Sequence, residues 1–280
     1  MLTIFSIPKP FDGPIGVIQR NALASWRRLA PGVEIILFGA DAGVAEAAQE
    51  FGAIHQRSIE VNRHGTPLVS DAFARAQAMA SHPVLMYSNA DMLYDETLLA
   101  AFRVVQALPN FLMSGRRWDL DVTSDLRPGS DETWRDLFAG HAKSGKLHGP
   151  AGMDYFVFPR GLPLKMPPLA VGRVGWDGWM VWKCRSEGIP VIDATRTVVA
   201  LHQNHDYAHL SLENQPQRGP ERDLNLGAAG GLAHMLTLRE ANRQMVAGAL
   251  TNPPWLRRPL VWLAPTTLYQ KLLALKRSLA

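Results

Sequence analysis

Short apolar runs alternate along the first part of the chain with stretches in which apolar residues recur at helical spacing. The runs at Leu2–Ile7, 34–38 and 84–87 have the length and composition of buried strands. Between and after them, the spacing predicts helices over residues 15–29, 44–51, 69–76 and 98–105. This alternation predicts an α/β fold in which a mostly parallel sheet is covered by helices on both faces.

Polar residues stand where several of these helices are expected to begin. The candidate caps are Asp41, Thr66, Asp95 and Ser130. Thr66 is followed by Pro67, and proline is well tolerated at a first helical position. Asp177 precedes a further helix that carries Met180 and Cys184 on one face. We therefore expect the backbone N–H groups at these helix starts either to be capped by these side chains or to be free to bind an anion or a hydroxyl group.

The second half of the chain supplies more short strands, at 111–114, 155–158, 191–192 and 198–201. We expect these strands to extend the same sheet, so that residues 1–225 form one catalytic domain. Residues 1–105 would be its nucleotide-binding half and residues 106–225 its acceptor half. Residues 226–280 would form a basic, helical C-terminal segment, which follows a glycine-rich link at 227–231.

Composition places the chain among globular proteins of a reducing compartment. It has 280 residues, 47% of them hydrophobic, and a single cysteine, Cys184. The first residues lack the pattern of a signal peptide, and no apolar run reaches the length of a membrane span. We therefore expect a cytoplasmic location.

The positive charge is concentrated at the C-terminal end. No acidic residue follows Glu240, whereas six of the 29 basic residues do, so the rest of the chain carries 23 basic against 25 acidic residues. A nucleic-acid-binding protein would more often carry a basic stripe across its body. We therefore expect no nucleic-acid partner.

The most informative motif is Asn89-Ala90-Asp91, which directly follows the run at 84–87. Ligands of open α/β folds bind at the carboxyl ends of the strands. The chain lacks the glycine fingerprint of dinucleotide-binding proteins and the phosphate loop that ends in Gly-Lys-Ser/Thr. A divalent cation on Asp91 would then be the natural partner of a diphosphate. The alternative is an Asx turn with a purely structural role.

Two histidines, His202 and His205, follow the apolar run at 198–201, in a polar turn that continues through Asp206 and Tyr207. Histidine is a frequent ligand of metals such as manganese. We favour His202 as the ligand because it continues a strand, and we keep His205 as the alternative. A polar surface turn without a metal is equally compatible with the pattern.

The segment 172–179 places Asp177 at a helix start between two tryptophans. Asp177 could accept the proton of an acceptor hydroxyl, as a weak base that the helix N-terminus keeps ionised. Trp176 could stack on a sugar ring, and Asp154 could help to hold the acceptor. The structural alternative makes Asp177 a helix cap and the tryptophans core residues.

Arg63 and Thr66 are candidates for contacting a phosphate. Arg63 could bind a diphosphate through two hydrogen bonds, and the helix expected at Thr66 would add backbone N–H donors. An arginine in a loop is more often simply solvated, so the motif is weak.

The C-terminal segment after Pro253-Pro254 mixes apolar residues with arginine and lysine, and Pro265 divides it. Basic charge, aromatic residues and apolar faces fit a helix that lies on a membrane surface. A helix packed on the body of the protein or on another subunit explains the same pattern.

Taken in chain order, these motifs resemble glycosyltransferases of the GT-A fold, family-2-like, over residues 2–207. The resemblance rests on the N-terminal strand–helix order, on Tyr87-Ser88-Asn89-Ala90-Asp91-Met92, on Gly175-Trp176-Asp177 and on the 202–205 segment. In this family a short acidic motif holds a metal on the diphosphate of a nucleotide-sugar donor. The first position of that motif is Asn89 here, which is a poorer metal ligand than an aspartate.

The resemblance implies a role for each matching position. Asp91 would hold Mn²⁺ or Mg²⁺ together with His202 or His205, and Asn89 would contact the ribose. Asp41 would contact the nucleotide base, and Asp177 would be the base of an inverting transfer. A glycan or a lipid-linked glycan would be the acceptor, which would suit cell-surface glycan synthesis at the inner face of a membrane.

Two other functions fit parts of the pattern. A sugar nucleotidyltransferase would share the fold, but residues 6–11 are a poor match to the glycine-rich basic loop of such enzymes. A non-catalytic module that binds a glycan or a protein partner would explain Asn89. Release of pyrophosphate would indicate the first, and donor hydrolysis that survives loss of Asp91 and Asp177 would favour the second.

Overall fold

A computed structural model describes residues 1–122, 124–205 and 219–278 of the chain. Asp206 and Tyr207, the end of the predicted histidine-containing turn, lie outside these ranges. The helices are α1 (Gly13–Leu29), α2 (Val44–Glu50), α3 (Val69–Met79), α4 (Glu96–Val105), α5 (Asp131–Ser144), α6 (Trp176–Ser186), α7 (Pro220–Ala228), α8 (Arg258–Leu263) and α9 (Thr267–Ser278).

Thirteen strands are present in the described residues. They are β1 (Leu2–Ser6), β2 (Glu34–Phe38), β3 (Ile54–Gln56), β4 (Val84–Ser88), β5 (Met92–Tyr94), β6 (Leu112–Ser114), β7 (Trp118–Leu120), β8 (Lys146–Leu147), β9 (Tyr155–Pro159), β10 (Val191–Arg196), β11 (Ala200–Gln203), β12 (Arg243–Val246) and β13 (Ala249–Thr251).

The main sheet has nine strands in the order β13-β12-β10-β6-β9-β4-β1-β2-β3. Most neighbours are parallel, while β9 and β13 run antiparallel to theirs. Buried residues form one cluster on each face of this sheet. Helices α1, α2, α4 and α5 pack on one side, and α3 and α6 pack on the other. The predicted α/β class, with a mostly parallel sheet covered on both faces, is confirmed.

A second sheet of four short strands, in the order β5-β11-β7-β8, lies beside the main one. Its strand β11 is the run that we expected at 198–201, so the expectation that this run extends the main sheet was wrong. The register explains the difference, because β11 pairs antiparallel with β5 and parallel with β7. This small sheet carries the segments that build the candidate site.

The helix starts follow the expected caps only in part. Asp95 and Ser130 cap α4 and α5 by accepting hydrogen bonds from backbone N–H groups. Helix α3 begins at Val69 instead of at Thr66, because Val61 forms a β-bridge with Pro67 and holds that segment extended. The proposed anion site at a Thr66 helix start is therefore corrected.

The two remaining expectations about helix starts also need correction. Helix α2 begins at Val44, and Asp41 offers it only a backbone carbonyl. Asp177 lies within the first turn of α6 and does not precede the helix, because Gly175 occupies the N-cap position with a positive φ of 123°.

The C-terminal segment 226–280 contains helices α8 and α9, and also strands β12 and β13, which extend the main sheet. The sequence did not predict these strands. Searched over the described parts of the chain, the structure contains no helix that combines the length and the apolar character needed to cross a bilayer.

Candidate active site

The candidate site lies where β4 ends, at the edge of the main sheet. Parallel strands β1, β2 and β4 all end at this edge, and antiparallel β9 begins there, directly after Asp154. The backbone N–H of Asn89 donates to the Asp154 carbonyl at 2.9 Å, so the two segments meet. The position of the acidic motif at the carboxyl edge of the sheet is as the sequence predicted.

The backbone of Asp91 is held by β11. Both the backbone N–H and the side-chain amide of buried Gln203 donate to the Asp91 carbonyl oxygen, at 3.2 Å each. Gln203 also donates to the Ile18 carbonyl at 2.9 Å and accepts from Asn21 at 3.0 Å. Helix α1 and strand β11 therefore fix the position from which the Asp91 carboxylate projects.

Asp91, His202 and His205 form a compact cluster of metal-ligand type. One ligand atom from each lies within 4.8 Å of the other two. Oδ2 of Asp91 lies 3.2 Å from Nε2 of His205 and 3.6 Å from Nε2 of His202. The other oxygen, Oδ1, is buried and accepts no hydrogen bond from the described residues. The sequence offered the two histidines as alternatives, and the structure brings both to Asp91.

The electrostatics of the cluster favour an ionised carboxylate. Burial by itself would raise the pKa of Asp91, but the facing imidazoles of His202 and His205 hold it well below its usual range. Burial likewise tends to lower the pKa of His202, and the charge of Asp91 overcomes this and raises it. The acid is therefore available as an anionic ligand at neutral pH.

A second layer of polar residues supports His202 from behind. In the small sheet His202 lies beside Asp119 of β7, whose Oδ1 is 3.3 Å from Nδ1 of His202. The other oxygen of Asp119 lies 2.9 Å from Nδ1 of His148. A carboxylate behind a metal-binding imidazole fixes the ring and increases its basicity.

Arg117 connects this layer to the acidic motif. Its guanidinium donates to Asp119 at 2.8 Å and to Asp154 at 2.7 Å, and both carboxylates raise its pKa against the effect of burial. The sequence analysis missed Arg117, Asp119 and His148. Strands β7 and β8 contain three and two residues, too few for a readable alternation, so the only available signal was the cluster of polar residues around them.

Asn89 faces Asp154 and not the histidines. The side-chain Nδ2 of Asn89 donates to Oδ1 of Asp154 at 2.6 Å, and its side-chain Oδ1 accepts from the Tyr87 hydroxyl at 3.1 Å. Asp154 is thus held by Asn89 on one oxygen and by Arg117 on the other. An asparagine in the first position of the motif therefore orients a neighbouring carboxylate.

Asp177 lies in the first turn of α6. The N–H of Gly178 donates to its Oδ1 at 2.8 Å. Burial nevertheless raises the pKa of Asp177 to about 6, and the charge of Asp154 acts in the same direction. Its side chain stays partly accessible to solvent. The expectation that the helix start keeps Asp177 a weak base is corrected, since burial outweighs the backbone hydrogen bond.

Trp176 belongs to the core, which is the structural alternative that the sequence left open. It is only 6% exposed, and its ring packs edge-on against Tyr87 with centroids 4.9 Å apart. Phe73 and Phe156 also contact it. This placement does not fit the expected stacking on a sugar. It instead connects the start of α6 to Tyr87, next to the acidic motif.

The remaining predicted residues lie outside the cluster. Asp41 is exposed after β2, at the same edge of the sheet. Arg63 is exposed and contacts His64 at 3.2 Å. Thr66 lies in a loop that Asn62 orders by accepting backbone N–H groups and by donating to Glu221 at 2.7 Å. The structure gives these three residues no contact with Asp91.

Lys9 is a further charged residue near the candidate site, and it was not predicted from the sequence. It follows β1 at the same edge, where buried Gln19 both donates to and accepts from its backbone. Burial lowers the pKa of Lys9, while the charge of Asp91 acts to raise it. The rule that sites form at the carboxyl ends of strands, applied to β1, would have identified it. A separate cavity of about 980 Å³ between α1, α4 and α5 contains none of these groups.

No protein-family model matches the sequence, and no curated protein is significantly similar to it. Solved structures are similar in fold. A mannosyltransferase from Pyrobaculum calidifontis, in complex with GDP-Man and Mn²⁺, is 12% identical with a TM-score of 0.45 over 74% of this chain. The chain spans 58% of the length of that protein.

Glucosyl-3-phosphoglycerate synthase from Mycobacterium tuberculosis, in complex with phosphoglyceric acid, is 14% identical, with a TM-score of 0.48. The match covers 91% of this chain and 87% of that one. A further structure of the same synthase, with Mg²⁺ and uridine diphosphate, has a TM-score of 0.46.

These structures are thus of a mannosyltransferase with GDP-Man and Mn²⁺, and of a synthase with phosphoglyceric acid or with Mg²⁺ and uridine diphosphate. At these identities the likeness concerns the fold alone, and it indicates neither the donor nor the acceptor of this chain.

Proposed function

We propose that the protein transfers a sugar from a nucleotide-diphosphate-sugar donor to an acceptor hydroxyl, with inversion at the anomeric carbon. The observation that carries this proposal is the pair of unlike carboxylates at one edge of the sheet. Asp91 is kept ionised by two imidazoles, and Asp177 has its pKa raised to about 6. Titratable groups whose pKa values are pushed apart are typical of acid–base sites.

The first part of the site fits a divalent metal. Asp91 brings a buried carboxylate oxygen that accepts no hydrogen bond from the described residues, and the two imidazoles lie close enough to share one ion with it. Two imidazoles with one carboxylate suit Mn²⁺ better than Mg²⁺, which prefers an all-oxygen shell. When bound, such an ion would offset the negative charge that develops on the leaving nucleoside diphosphate.

Lys9 is the candidate for a second positive contact to the diphosphate. Lys9 follows β1 at the edge of the sheet that carries Asp91. Gln19 hydrogen-bonds both the backbone N–H and the backbone carbonyl of Lys9. A lysine in this position would bind phosphate oxygens as a point charge. It would hold the donor with its anomeric carbon toward the acceptor side of the edge.

Asp177 would act as the base on that side. Its carboxylate takes the proton of the acceptor hydroxyl, while the acceptor oxygen forms a bond to the anomeric carbon. The bond from that carbon to the diphosphate oxygen breaks, and its electron pair leaves with the nucleoside diphosphate. A single displacement of this kind inverts the configuration. A pKa near 6 leaves the base largely ionised at neutral pH and stronger than an ordinary aspartate.

Asp154 would position the acceptor side together with Asn89 and Arg117. Both of its oxygens are already engaged, so it acts by holding the edge between the two carboxylates. Asp41 and Arg63 remain proposals for contacts with the nucleotide. A glycan or lipid-linked acceptor and a cytoplasmic location also remain proposals, the latter supported only by the single buried cysteine.

The experiment that tests the proposal is a panel of nucleotide-sugars, in which thermal stabilisation is measured with and without Mn²⁺. We expect one donor to stabilise the protein selectively, and only in the presence of the metal. The variant Asp91→Asn should lose this effect, and Asp136→Asn on the exposed surface of α5 should keep it. No response to any nucleotide-sugar would contradict the proposal.

A product assay separates the proposal from its rivals. Transfer to water or to an acceptor should release a nucleoside diphosphate. Release of pyrophosphate from a nucleoside triphosphate would instead indicate a nucleotidyltransferase. Donor binding without any turnover, unchanged by Asp177→Asn, would indicate a binding module.

A further inference from the structure

Helix α9 packs Tyr269 and Leu273 on the core, yet it also presents a row of three leucines outward and several polar residues inward. Leu268, Leu272 and Leu275 recur at spacings of four and three residues, and each is more than half exposed, from 58% to 67%. On the opposite face, Gln270 is buried and Arg277 donates to the carbonyl oxygens of Leu232 and Met235. A helix that only covers a protein core would not also expose a row of three leucines.

The segment before α9 continues this exposed apolar surface. Trp262 of α8 is 84% exposed, and Leu263 beside it is half exposed. The turn at 255–257 adds Trp255 and Leu256, each exposed by more than two thirds. Tryptophan and leucine together, exposed on short helices, are typical of segments that insert into the boundary between lipid headgroups and acyl chains.

Cations flank these apolar residues. On α9, exposed Lys271 and Lys276 lie on either side of the leucine row, and Arg258 is exposed on α8. No acidic residue follows Glu240 in the sequence. The surface formed by residues 255–276 therefore combines an apolar centre with a positive border.

A basic cavity opens beside this surface. It has a volume of about 580 Å³ and shares Arg258 and Trp262 with it. Arg185 and Arg243 also line the cavity. Arg185 is 8% exposed, its Nε has no hydrogen-bond partner among the described residues, and burial together with the charge of Arg243 lowers its pKa. These cations would be stabilised by an anionic group.

We propose that the surface formed by residues 255–276 docks on an anionic lipid bilayer. The leucine row and Trp262 would enter the interface between headgroups and acyl chains, and the border cations would face lipid phosphates. The cavity lined by Arg185, Arg243 and Arg258 would receive one headgroup phosphate. A bilayer fits better than a second copy of the chain, because two copies of this surface would bring like charges together.

This surface is connected to the candidate active site through the inner face of α9. Met235, whose carbonyl accepts from Arg277, packs within 3.2 Å of the position of a β-carbon on Gly175, the N-cap of α6. Asp177 lies in the first turn of that helix, and its charge acts on Arg277. Docking would therefore place the acceptor side of the site near the membrane. Only this last step depends on the proposed function.

The test is flotation of the full chain with lipid vesicles, without any nucleotide or metal. We expect the protein to float with vesicles of phosphatidylcholine mixed with phosphatidylglycerol, and more weakly with phosphatidylcholine alone. The triple variant Leu268→Ser, Leu272→Ser, Leu275→Ser should weaken binding more than about tenfold. Replacing exposed Leu224 of α7 by serine is the matched control and should leave binding unchanged.

Charge variants test the second half of the proposal. Lys271→Gln and Lys276→Gln should each weaken binding to the anionic vesicles about fivefold, with less effect on neutral ones. Arg243→Gln probes the cavity in the same assay. Circular dichroism melting would verify that each variant is folded, since all of these residues are exposed or at the rim.

Three outcomes would overturn the proposal. The first is that the folded wild type does not float with anionic vesicles. The second is equal binding to neutral and anionic vesicles, unaffected by the lysine variants. The third is a concentration-dependent dimer that the leucine variants abolish without any binding to vesicles, which would make a second copy the partner. Because no donor is present, failure here leaves the glycosyl-transfer proposal standing.

Discussion

Asp91 and Asp177 are the same amino acid at the same edge of one sheet, and their surroundings push them in opposite directions. Asp91 faces His202 and His205, and its pKa lies well below the usual range. Asp177 is partly buried near the carboxylate of Asp154, and burial together with that charge raises its pKa to about 6. The comparison shows that the opposite pKa shifts of these two acids come from their neighbours and not from the residue type, and the proposed roles of metal ligand and base depend on this difference.

The elements that carry the two carboxylates differ as well. Asp91 follows a buried strand and is fixed through its backbone by Gln203, so the carboxylate has little freedom. Asp177 lies in the first turn of α6 and receives one backbone hydrogen bond, from Gly178. The first arrangement suits a ligand that keeps its geometry, and the second leaves an oxygen able to receive a proton.

The largest effect should come from Asp177→Asn. An amide keeps the shape of the side chain and cannot accept the proton of the acceptor, so we expect kcat to fall about 10³-fold. Donor binding in the presence of Mn²⁺ should change little, because Asp91 and the histidines are unaltered. Steady-state kinetics and a thermal shift with the donor measure the two quantities. A variant that retains wild-type kcat would remove Asp177 from the chemistry.

Loss of the other carboxylate should act mainly on the metal. In Asp91→Asn the ionised ligand between the two imidazoles is replaced by a neutral amide, and we expect Mn²⁺ affinity to fall about 10²-fold. Titration with Mn²⁺, followed by activity and by calorimetry, measures this change. Excess Mn²⁺ should restore part of the activity, whereas it should not rescue Asp177→Asn.

If Asp91→Asn bound Mn²⁺ as tightly as the wild type, Asp91 would not be a metal ligand, and the proposed difference in role between the two acids would be wrong. His205→Gln and His202→Gln refine the same measurement. His205 lies nearer to Asp91 than His202 does, at 3.2 Å against 3.6 Å, and His202 is supported from behind by Asp119.

The sequence predicted the surroundings of Asp91 better than those of Asp177. Strand β4 reads as an apolar run because it is buried on both faces, and the rule that sites form at carboxyl ends then places Asp91. Both histidines were found because they directly follow the apolar run at 198–201; His202 lies in β11 and His205 comes just after it. The environment of Asp177 could not be read in this way, since its burial depends on residues brought together only by folding.

Other misses have the same physical origin. The cap expected at Thr66 failed because a β-bridge between Val61 and Pro67 overrides the local helix signal. Trp176 was expected to face a sugar, and tertiary packing against Tyr87 buries it. Arg117 and Asp119 were missed because β7 is only three residues long. Local patterns thus predicted the elements, while long-range contacts decided the roles.

The next effect in size is on the pH dependence of the reaction, which should distinguish protonation of Asp177 from protonation at the metal site around Asp91. The base must be ionised, so kcat/KM should fall about tenfold for each pH unit below the Asp177 pKa of about 6. Protonation of His202, whose pKa is raised by the charge of Asp91, also opposes metal binding at low pH. The two effects are distinguished by repeating the profile at several Mn²⁺ concentrations.

If protonation of Asp177 causes the fall of kcat/KM at low pH, the midpoint of that fall should stay constant as the Mn²⁺ concentration rises. If protonation of His202 causes it, the midpoint should move to lower pH. If the whole acid limb moves with Mn²⁺, the raised pKa of Asp177 has no part in the observed pH dependence.

The smallest expected effect is on stability, and its sign differs between the two carboxylates. The folded-state pKa of Asp177 is raised from an ordinary value of 3.8 to about 6, so the folded protein binds this proton more tightly than the unfolded chain does. Stability should therefore fall as pH rises through this window, and the cost is fully present above pH 6.

Asp177→Asn removes that cost, and we expect the free energy of unfolding at pH 7 to increase. Two pKa units correspond to about 3 kcal/mol, which partial solvent access reduces to about 1–2 kcal/mol. Asp91→Asn should decrease the free energy of unfolding of the metal-free protein, because the depressed pKa of Asp91 contributes stability above the unfolded-state pKa.

Urea unfolding at pH 7 and near pH 4 measures the free energy of unfolding of both variants, and the gain from Asp177→Asn should shrink toward zero at the lower pH. Stabilisation of equal size at both pH values would mean that the substitution acts through packing, and the contrast in charge between the two acids would then be unsupported.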